Sequence, residues 1–272
     1  MTVEELIIYG KKYLHSNEAK MLLANILGYD TLELINHLDE IISTENVDKY
    51  KKSIEAVKNN KPLQYVLGNV NFFGYEFDIN ENVLIPRFET EELVDRVIKF
   101  LNLNFTDAKD IIDLGCGSGV IGITLKKKCP NLNVTCLDIS EEALMVARGN
   151  SKKLDADITF IKGDMLDNVC KKYDVIVSNP PYIALDEEIE DIVKNNEPHL
   201  ALYAGIDGLD CYRKIFNEAK KVLNNKFLIA LEIGFTQKEA ITKLALEALG
   251  DVKVECFKDL SLKDRIIFVY NV

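Results

Sequence analysis

Apolar positions from Val3 to about Asn60 recur at steps of three and four residues: Leu6, Ile7 and Leu14, then Ala19, Leu22, Leu23, Ile26 and Leu27. That period lines one face of a helix, so helices are predicted here. Gly10 and Gly28 punctuate the run, and Ser16-Asn17-Glu18 and Ser43-Thr44-Glu45 have the composition of helix starts. The stretch Asn46 to Asn60 reads as one amphipathic helix that must end before Pro62, because proline disfavours a helical residue ahead of it. Residues 1–61 are therefore expected to form a small helical bundle. No catalytic residue types are concentrated in it, which leaves docking of a partner, or simple stabilisation, as its role.

Between Leu63 and Ile85 the pattern changes to short apolar and aromatic runs. Gln64-Tyr65-Val66-Leu67, Asn71-Phe72-Phe73 and Tyr75-Glu76-Phe77-Asp78-Ile79, set around Gly68 and Gly74, are predicted as strands. Residues 62–85 are read as a β-hairpin linker between two domains. Pro86-Arg87-Phe88-Glu89-Thr90-Glu91 then opens a helix to about Asn102, with acids in its first turn where the helix dipole favours them.

From Lys109 strands and helices alternate: Asp110 to Leu114, a helix to Lys128, Asn133 to Asp138, a helix to Leu154, Asp157 to Lys162, and Tyr173 to Ser178. After a helical stretch from Gly208 to Asn224 come Phe227 to Ile233, a helix to about Gly250, and the closing strands Val252 to Phe257 and Arg265 to Tyr270. Alternation of this kind builds an α/β domain, here residues 86–272, whose parallel sheet carries helices on both faces. The last two strands share a short loop and are expected to pair antiparallel.

Composition narrows the field. A chain of 272 residues with 47% hydrophobic content can bury a real core. Its net charge of −11 argues against broad nucleic-acid binding, which depends on clustered Lys and Arg. Lys126-Lys127-Lys128 sits at a predicted helix end, where it complements the dipole. Six scattered cysteines and three separated histidines signal neither a disulfide framework nor a metal site. The Met1-Thr2-Val3-Glu4-Glu5 start has no basic targeting region, and no apolar run approaches the ~18 residues of a membrane span. A cytoplasmic, monomeric protein with no membrane partner is expected.

Two motifs carry the chemistry. Asn179-Pro180-Pro181-Tyr182 closes a predicted strand. Two prolines supply no N–H, so the ladder stops and the carbonyls of Asn179 and Pro180 stay free as acceptors. The Asn179 side-chain oxygen and the Tyr182 ring face complete a holder for a planar NH2 group, although Asn and Pro are also ordinary turn residues. Asp113-Leu114-Gly115-Cys116-Gly117-Ser118-Gly119 follows the first strand of the sheet and opens a helix, the setting of a nucleotide-type cofactor site. Cys116 reads as a small space-filler.

Spacing alone admits NAD or S-adenosylmethionine, since Gly117-Ser118-Gly119-Val120-Ile121-Gly122 also fits a dinucleotide pattern. Charge favours the second. Asp113, Asp138 and Asp164 at strand ends suit a ligand with a sulfonium, an amino group and ribose hydroxyls better than a pyrophosphate. Asp138 would accept from the ribose hydroxyls and Asp164 from an adenine amine, with Met165 packed on the ring. Capping of the following helices is the competing role for these aspartates.

The combination of the helical N-terminal region, Pro86 to Glu91, Asp113 to Gly119 and Asn179-Pro180-Pro181-Tyr182-Ile183 resembles the peptide chain release factor N5-glutamine methyltransferases, PrmC or HemK. Pro62-Leu63-Gln64-Tyr65, Phe72-Phe73-Gly74, Glu197-Pro198 with Ala201-Leu202, Asp207-Gly208-Leu209 and Glu232-Ile233-Gly234 extend the resemblance over essentially the whole chain. It implies a seven-stranded, Rossmann-like class I fold that uses S-adenosylmethionine to methylate the glutamine of the Gly-Gly-Gln motif in release factors. Carried over, Gly115, Cys116, Gly117, Ser118, Gly119, Asp138, Met165 and Asn179 fall at cofactor positions. Asn179 to Tyr182 face the glutamine, with Asn179, Pro180 and Tyr182 as the catalytic set. Asn-Pro-Pro-Tyr is also shared with adenine-N6 DNA and ribosomal RNA methyltransferases, which form the alternative class. Three departures stand out: Phe88 where a proline is usual, Met165 where an aromatic ring is common, and no glycine after Asp259-Leu260.

Overall fold

The computed structural model describes residues 1–167 and 169–272, and it divides into two units: Met1–Asn69 with Glu190–Asn196, and Val70–Ile189 with Glu197–Val272. The first unit is helical. α1 (Val3–Gly10) starts at a capping box in which the Glu5 N–H donates to the Thr2 hydroxyl and the Thr2 N–H donates to the Glu5 carboxylate. α2 (Ser16–Leu27) stops at Gly28, whose φ of 74° suits a left-handed cap, and α3 (Thr44–Lys58) is capped by the Ser43 hydroxyl. Leu6, Leu22, Leu23, Leu34, Tyr50 and Ile54 form its core. Gly10 is required by close approach, since a Cβ there would lie 2.1 Å from the Tyr50 hydroxyl, which itself donates to the Ala19 carbonyl. The segment α8 (Asp191–Asn196) belongs to this unit, with the Asn196 amide donating to the Asn60 carbonyl.

Gln64 to Leu67, expected as a strand, is helical: α4 spans Leu63–Leu67. Pro62 supplies a favourable entry and Gly68, at φ 78°, the exit, so one helical turn fits between the two breakers. So short a run cannot choose its own period, and packing of Leu63, Val66 and Leu67 on the helical core decides it. The hairpin proper is β1 (Asn69–Phe72) and β2 (Tyr75–Asp78), and Phe72 and Phe77 are buried in the core of the larger unit.

The larger unit is built on α5 (Phe88–Asn104), β3 (Asp110–Leu114), α6 (Val120–Lys128), β4 (Asn133–Asp138), α7 (Glu141–Lys153), β5 (Ile158–Lys162) and β6 (Tyr173–Ser178). It continues with α9 (Asp210–Val222), β7 (Leu223–Glu232), α10 (Lys238–Leu249), β8 (Lys253–Lys258) and β9 (Asp264–Asn271). The seven strands follow the order β5-β4-β3-β6-β7-β9-β8, parallel except for β9, which runs antiparallel to both β7 and β8. Ile111, Val175, Leu228 and Phe268 pack on one face while Ile112, Ile176, Ile229 and Val269 pack on the other. Burial on both sides explains why these strands read as near-continuous apolar runs. Strand order reverses between β3 and β6, and ligands of open sheets bind outside the carboxyl ends of strands at such a point.

Among the described residues, no helix is long and apolar enough to cross a membrane, and no group of three or more His, Cys, Asp or Glu side chains is placed to hold a metal.

One buried side chain ties the hairpin to the loop after β3. Asn150 on α7, fully buried, accepts from the Asp78 N–H at 2.7 Å and donates to the Asp78 and Ser118 carbonyls, each at 2.9 Å. Asn150→Ala strands these backbone groups and is expected to cost about 2–4 kcal/mol, read as a lower urea midpoint at unchanged slope. A loss below about 0.5 kcal/mol would show that water replaces the amide without penalty.

Candidate active site

The parallel register aligns Leu114 with Leu137 on one side and Ser178 on the other, so the ends of β4, β3 and β6 meet. Three glycines with positive φ turn the chain after β3: Gly115 at 65°, Gly117 at 54° and Gly119 at 82°. Asp138 clamps this loop. Its Oδ2 accepts from the Gly117 N–H at 2.8 Å and its Oδ1 from the Ser140 N–H at 2.9 Å. Each oxygen keeps a second lone pair. Burial pushes the Asp138 carboxyl upward despite these bonds.

A cavity of about 950 Å³, counted to its open mouth, lies over the loop and is lined by Gly115, Gly117, Asp138, Asp164, Met165 and Asn179. Pro181 also reaches it. Two segments with no assigned role in the sequence complete the wall, Glu81–Leu84 and Pro198–Ala201. Their signal in the sequence was weak, since only Glu197-Pro198 with Ala201-Leu202 stood out. Glu197, 5% exposed, fixes its segment by accepting from the Ile85 N–H and the Arg87 guanidinium.

The remaining cofactor candidates lie beneath the cavity. Asp113 is fully buried, accepts from the Gly122 N–H at 2.9 Å through Oδ2, and has no partner for Oδ1. Burial pushes its carboxyl up to about 8. Cys116 is packed against Cys136, which with burial holds its thiol well above the ordinary range. Ser118 and Gly119 face α7, Ser118 through its carbonyl to Asn150 and Gly119 against Ala147. These four support the loop from below rather than line the cavity. Asp164 lines the cavity and its carboxylate is paired with Lys214, so an adenine amine would share it with that cation.

The cavity fits S-adenosylmethionine. Cβ atoms built on Gly115 and Gly117 meet nothing within 4 Å, so both glycines leave open the space a ligand would fill. Asp138 would be the residue to hold ribose hydroxyls and Met165 the one to meet a base, and the carboxylates of Asp138 and Asp164 would favour a cation.

On the other side of Asn179 stands a polar network that sequence reading assigned no role. The Asn179 Nδ2 donates to Thr90 Oγ1 at 3.0 Å, and that hydroxyl donates to Glu232 Oε2 at 2.7 Å. Glu232 is 1% exposed. Both residues fall in quoted motifs, and a carboxylate ending the apolar strand Phe227–Leu231 was the available signal. Tyr182 is placed on this side: its hydroxyl is pushed up to about 12 by burial and by Glu232, and its carbonyl accepts from Gln237. Pro180 is buried.

Comparison with known proteins agrees with this geometry. Residues 5–68 match the PrmC N-terminal domain and residues 77–201 the methyltransferase small domain. A methyltransferase from Pyrococcus furiosus superposes with a TM-score of 0.54 at 19% identity, covering 81% of this chain and 98% of that one. A Thermus thermophilus 16S rRNA N2 methyltransferase solved with AdoMet and guanosine gives 0.55 at 14% identity, over 75% and 50%. At such identities the likeness is one of fold. Sheet order, switch-point cavity and matched domain define a class I, S-adenosylmethionine-dependent methyltransferase. The release factor glutamine methyltransferase of Bacillus subtilis strain 168 is 37% identical over 278 residues, covering 98% of this chain and 96% of its own length. That of Clostridium botulinum strain Hall is 38% identical over 282 residues, with 98% coverage of both. The chain belongs to the release factor glutamine methyltransferase family.

Asp138→Ala removes two charged acceptors and frees the loop amides. Cofactor affinity is expected to fall about 100-fold or more, from ~1.5–3 kcal/mol per charged hydrogen bond, measured by calorimetry with S-adenosylhomocysteine. Affinity within about threefold of wild type would remove Asp138 from the cofactor site.

Proposed function

We propose that this protein transfers the methyl group of S-adenosylmethionine to the side-chain amide nitrogen, N5, of the glutamine in the Gly-Gly-Gln motif of peptide chain release factors, in the cytoplasm. The observation that carries this reading is the fixed orientation of Asn179: its Nδ2 is engaged by Thr90, so its Oδ1 is the free atom at the cavity edge. A site that offers acceptors there selects a substrate with N–H groups.

The cofactor, when bound, supplies a methyl made electrophilic by the attached sulfonium. An amide nitrogen is a poor nucleophile because its lone pair is delocalised into the carbonyl. In the proposed geometry Asn179 Oδ1 and the Pro180 carbonyl each accept one N–H of the glutamine, which fixes the nitrogen in line and draws electron density toward it. Such positioning can lower a barrier by ~7–11 kcal/mol. No base is needed, because a methylated cationic amide releases its proton readily. Glu232 is held behind Thr90 and Asn179 rather than against the substrate.

Nucleic-acid methylation through the same motif is not favoured. The full-length relatives are named for release factor glutamine, and the net charge of −11 offers little to phosphates. We assign docking of the release factor to the helical domain, residues 1–61, with 62–85 leading into the methyltransferase domain, 86–272. An apolar groove in the first unit, lined by Ile7, Ile8, Leu34 and Ile35 and flanked by Lys11 and Lys20, supports that role.

The test is fragment mass analysis of a release factor incubated with this protein and S-adenosylmethionine. A gain of about 14 Da on the Gly-Gly-Gln glutamine is expected, and Asn179→Ala should lower turnover at least ~100-fold with cofactor affinity within a few fold. Near-normal turnover of that variant, or methylation elsewhere, would overturn the reading.

A further inference from the structure

A carboxylate, a hydroxyl and a carboxamide in a row have a direction, and the first member sets it. An ionised Glu232 has no hydrogen to give, so the single Thr90 hydrogen points to it at 2.7 Å. Thr90 Oγ1 is then only an acceptor toward Asn179, which must offer Nδ2 at 3.0 Å and turn Oδ1 away. A protonated Glu232 reverses the row. Its hydroxyl donates to Thr90 Oγ1, Thr90 donates to Asn179 Oδ1, and the carboxamide flips to show Nδ2 on its outer side. We infer that Glu232, acting through Thr90, is a positioning residue that sets which end of the Asn179 amide meets the substrate, and that turnover requires it ionised. The inference rests on the proposed reading that the substrate presents an N–H to Asn179.

The surroundings make the first member of the row sensitive to pH. Burial pushes the Glu232 carboxyl up to about 7, while the Thr90 hydrogen bond and then Arg265 on β9 pull it down, Glu89 at the start of α5 raises it, and Arg87 beside it lowers it. Tyr182 faces it from the loop after β6, and Tyr212 on α9 donates to the Glu232 backbone carbonyl at 2.9 Å. Neither tyrosine ionises near neutrality, since burial raises both. The sign follows: above about 7 Glu232 is charged and Asn179 shows its acceptor, and below it the donor is shown, against a substrate that also brings a donor. Register makes the chain possible, because Ser178 pairs with Leu231 and the next residues on each strand are Asn179 and Glu232.

Two readouts test this, one independent of catalysis. The Asn179 side-chain 15NH2 resonances, assigned by their loss in Asn179→Ala, are followed with pH in wild type, Glu232→Gln and Thr90→Val. Turnover of a release factor at saturating cofactor is followed over the same range. In wild type both should titrate together, with turnover falling about tenfold from pH ~8 to ~6, as expected of one essential ionised group. Glu232→Gln, which keeps an acceptor but cannot ionise, should abolish both titrations. Thr90→Val should uncouple the resonances from pH and lower turnover about tenfold or more with cofactor affinity unaltered, and Thr90→Ser should restore both. Resonances that ignore pH in wild type, or an acid limb that survives Glu232→Gln, would overturn the inference. Resonances that titrate through Glu232 in a protein that methylates no release factor at any pH would leave the relay standing and remove the proposed substrate instead.

Discussion

A carboxamide carries a donor and an acceptor of nearly identical shape, and in the proposed function the chemistry at the end of β6 depends on which of them faces the cavity. The hydrogen bond from Asn179 to Thr90 decides it. Without that bond the amide could rotate at little cost and offer either end to the substrate. The bond in turn needs Thr90 in the first turn of α5 and Glu232 at the end of β7, so helix, strand and loop must meet within one hydrogen-bond chain. In the proposed reaction, which has no charged nucleophile to generate, positioning of this kind is what these residues would contribute.

The cofactor side obeys a different constraint. Backbone amides of a glycine loop would attract an anion, yet Asp138 consumes that of Gly117, and with it the Ser140 amide after β4, and sets a carboxylate there instead. The loop is therefore held by the group that, in the proposed site, would also meet the ligand. Beneath it Asp113, Cys116 and Ser118 fill a buried layer, while the space beside Gly115 and Gly117 is open. The same reasoning that makes a buried carboxylate costly makes it responsive to a cation placed above it.

Much of this was legible in the chain. The β–α alternation after Lys109, the glycine loop and Asn179-Pro180-Pro181-Tyr182 are local patterns, and each carries its structure within a few residues. Gln64 to Leu67 was not legible, because so short a run between Pro62 and Gly68 fits one helical turn or a strand equally well. Site partners were harder still. Thr90 and Glu232 are 142 residues apart and Lys214 and Asp164 are 50 apart, so no spacing rule connects them. Asp113 and Ser118 sit in the motif but below the cavity, since alternation along β3 sends Asp113 toward α6. A motif names the residues near a ligand, and only the pleat and the loop turns say which of them touch it.

The most direct measurement is a crystal structure of this chain with S-adenosylhomocysteine and a Gly-Gly-Gln peptide. The account predicts the glutamine amide nitrogen about 3 Å from both Asn179 Oδ1 and the Pro180 carbonyl, with Asn179 Nδ2 still on Thr90. A glutamine nitrogen placed away from Asn179, or an Asn179 amide turned off Thr90 in that complex, would contradict it.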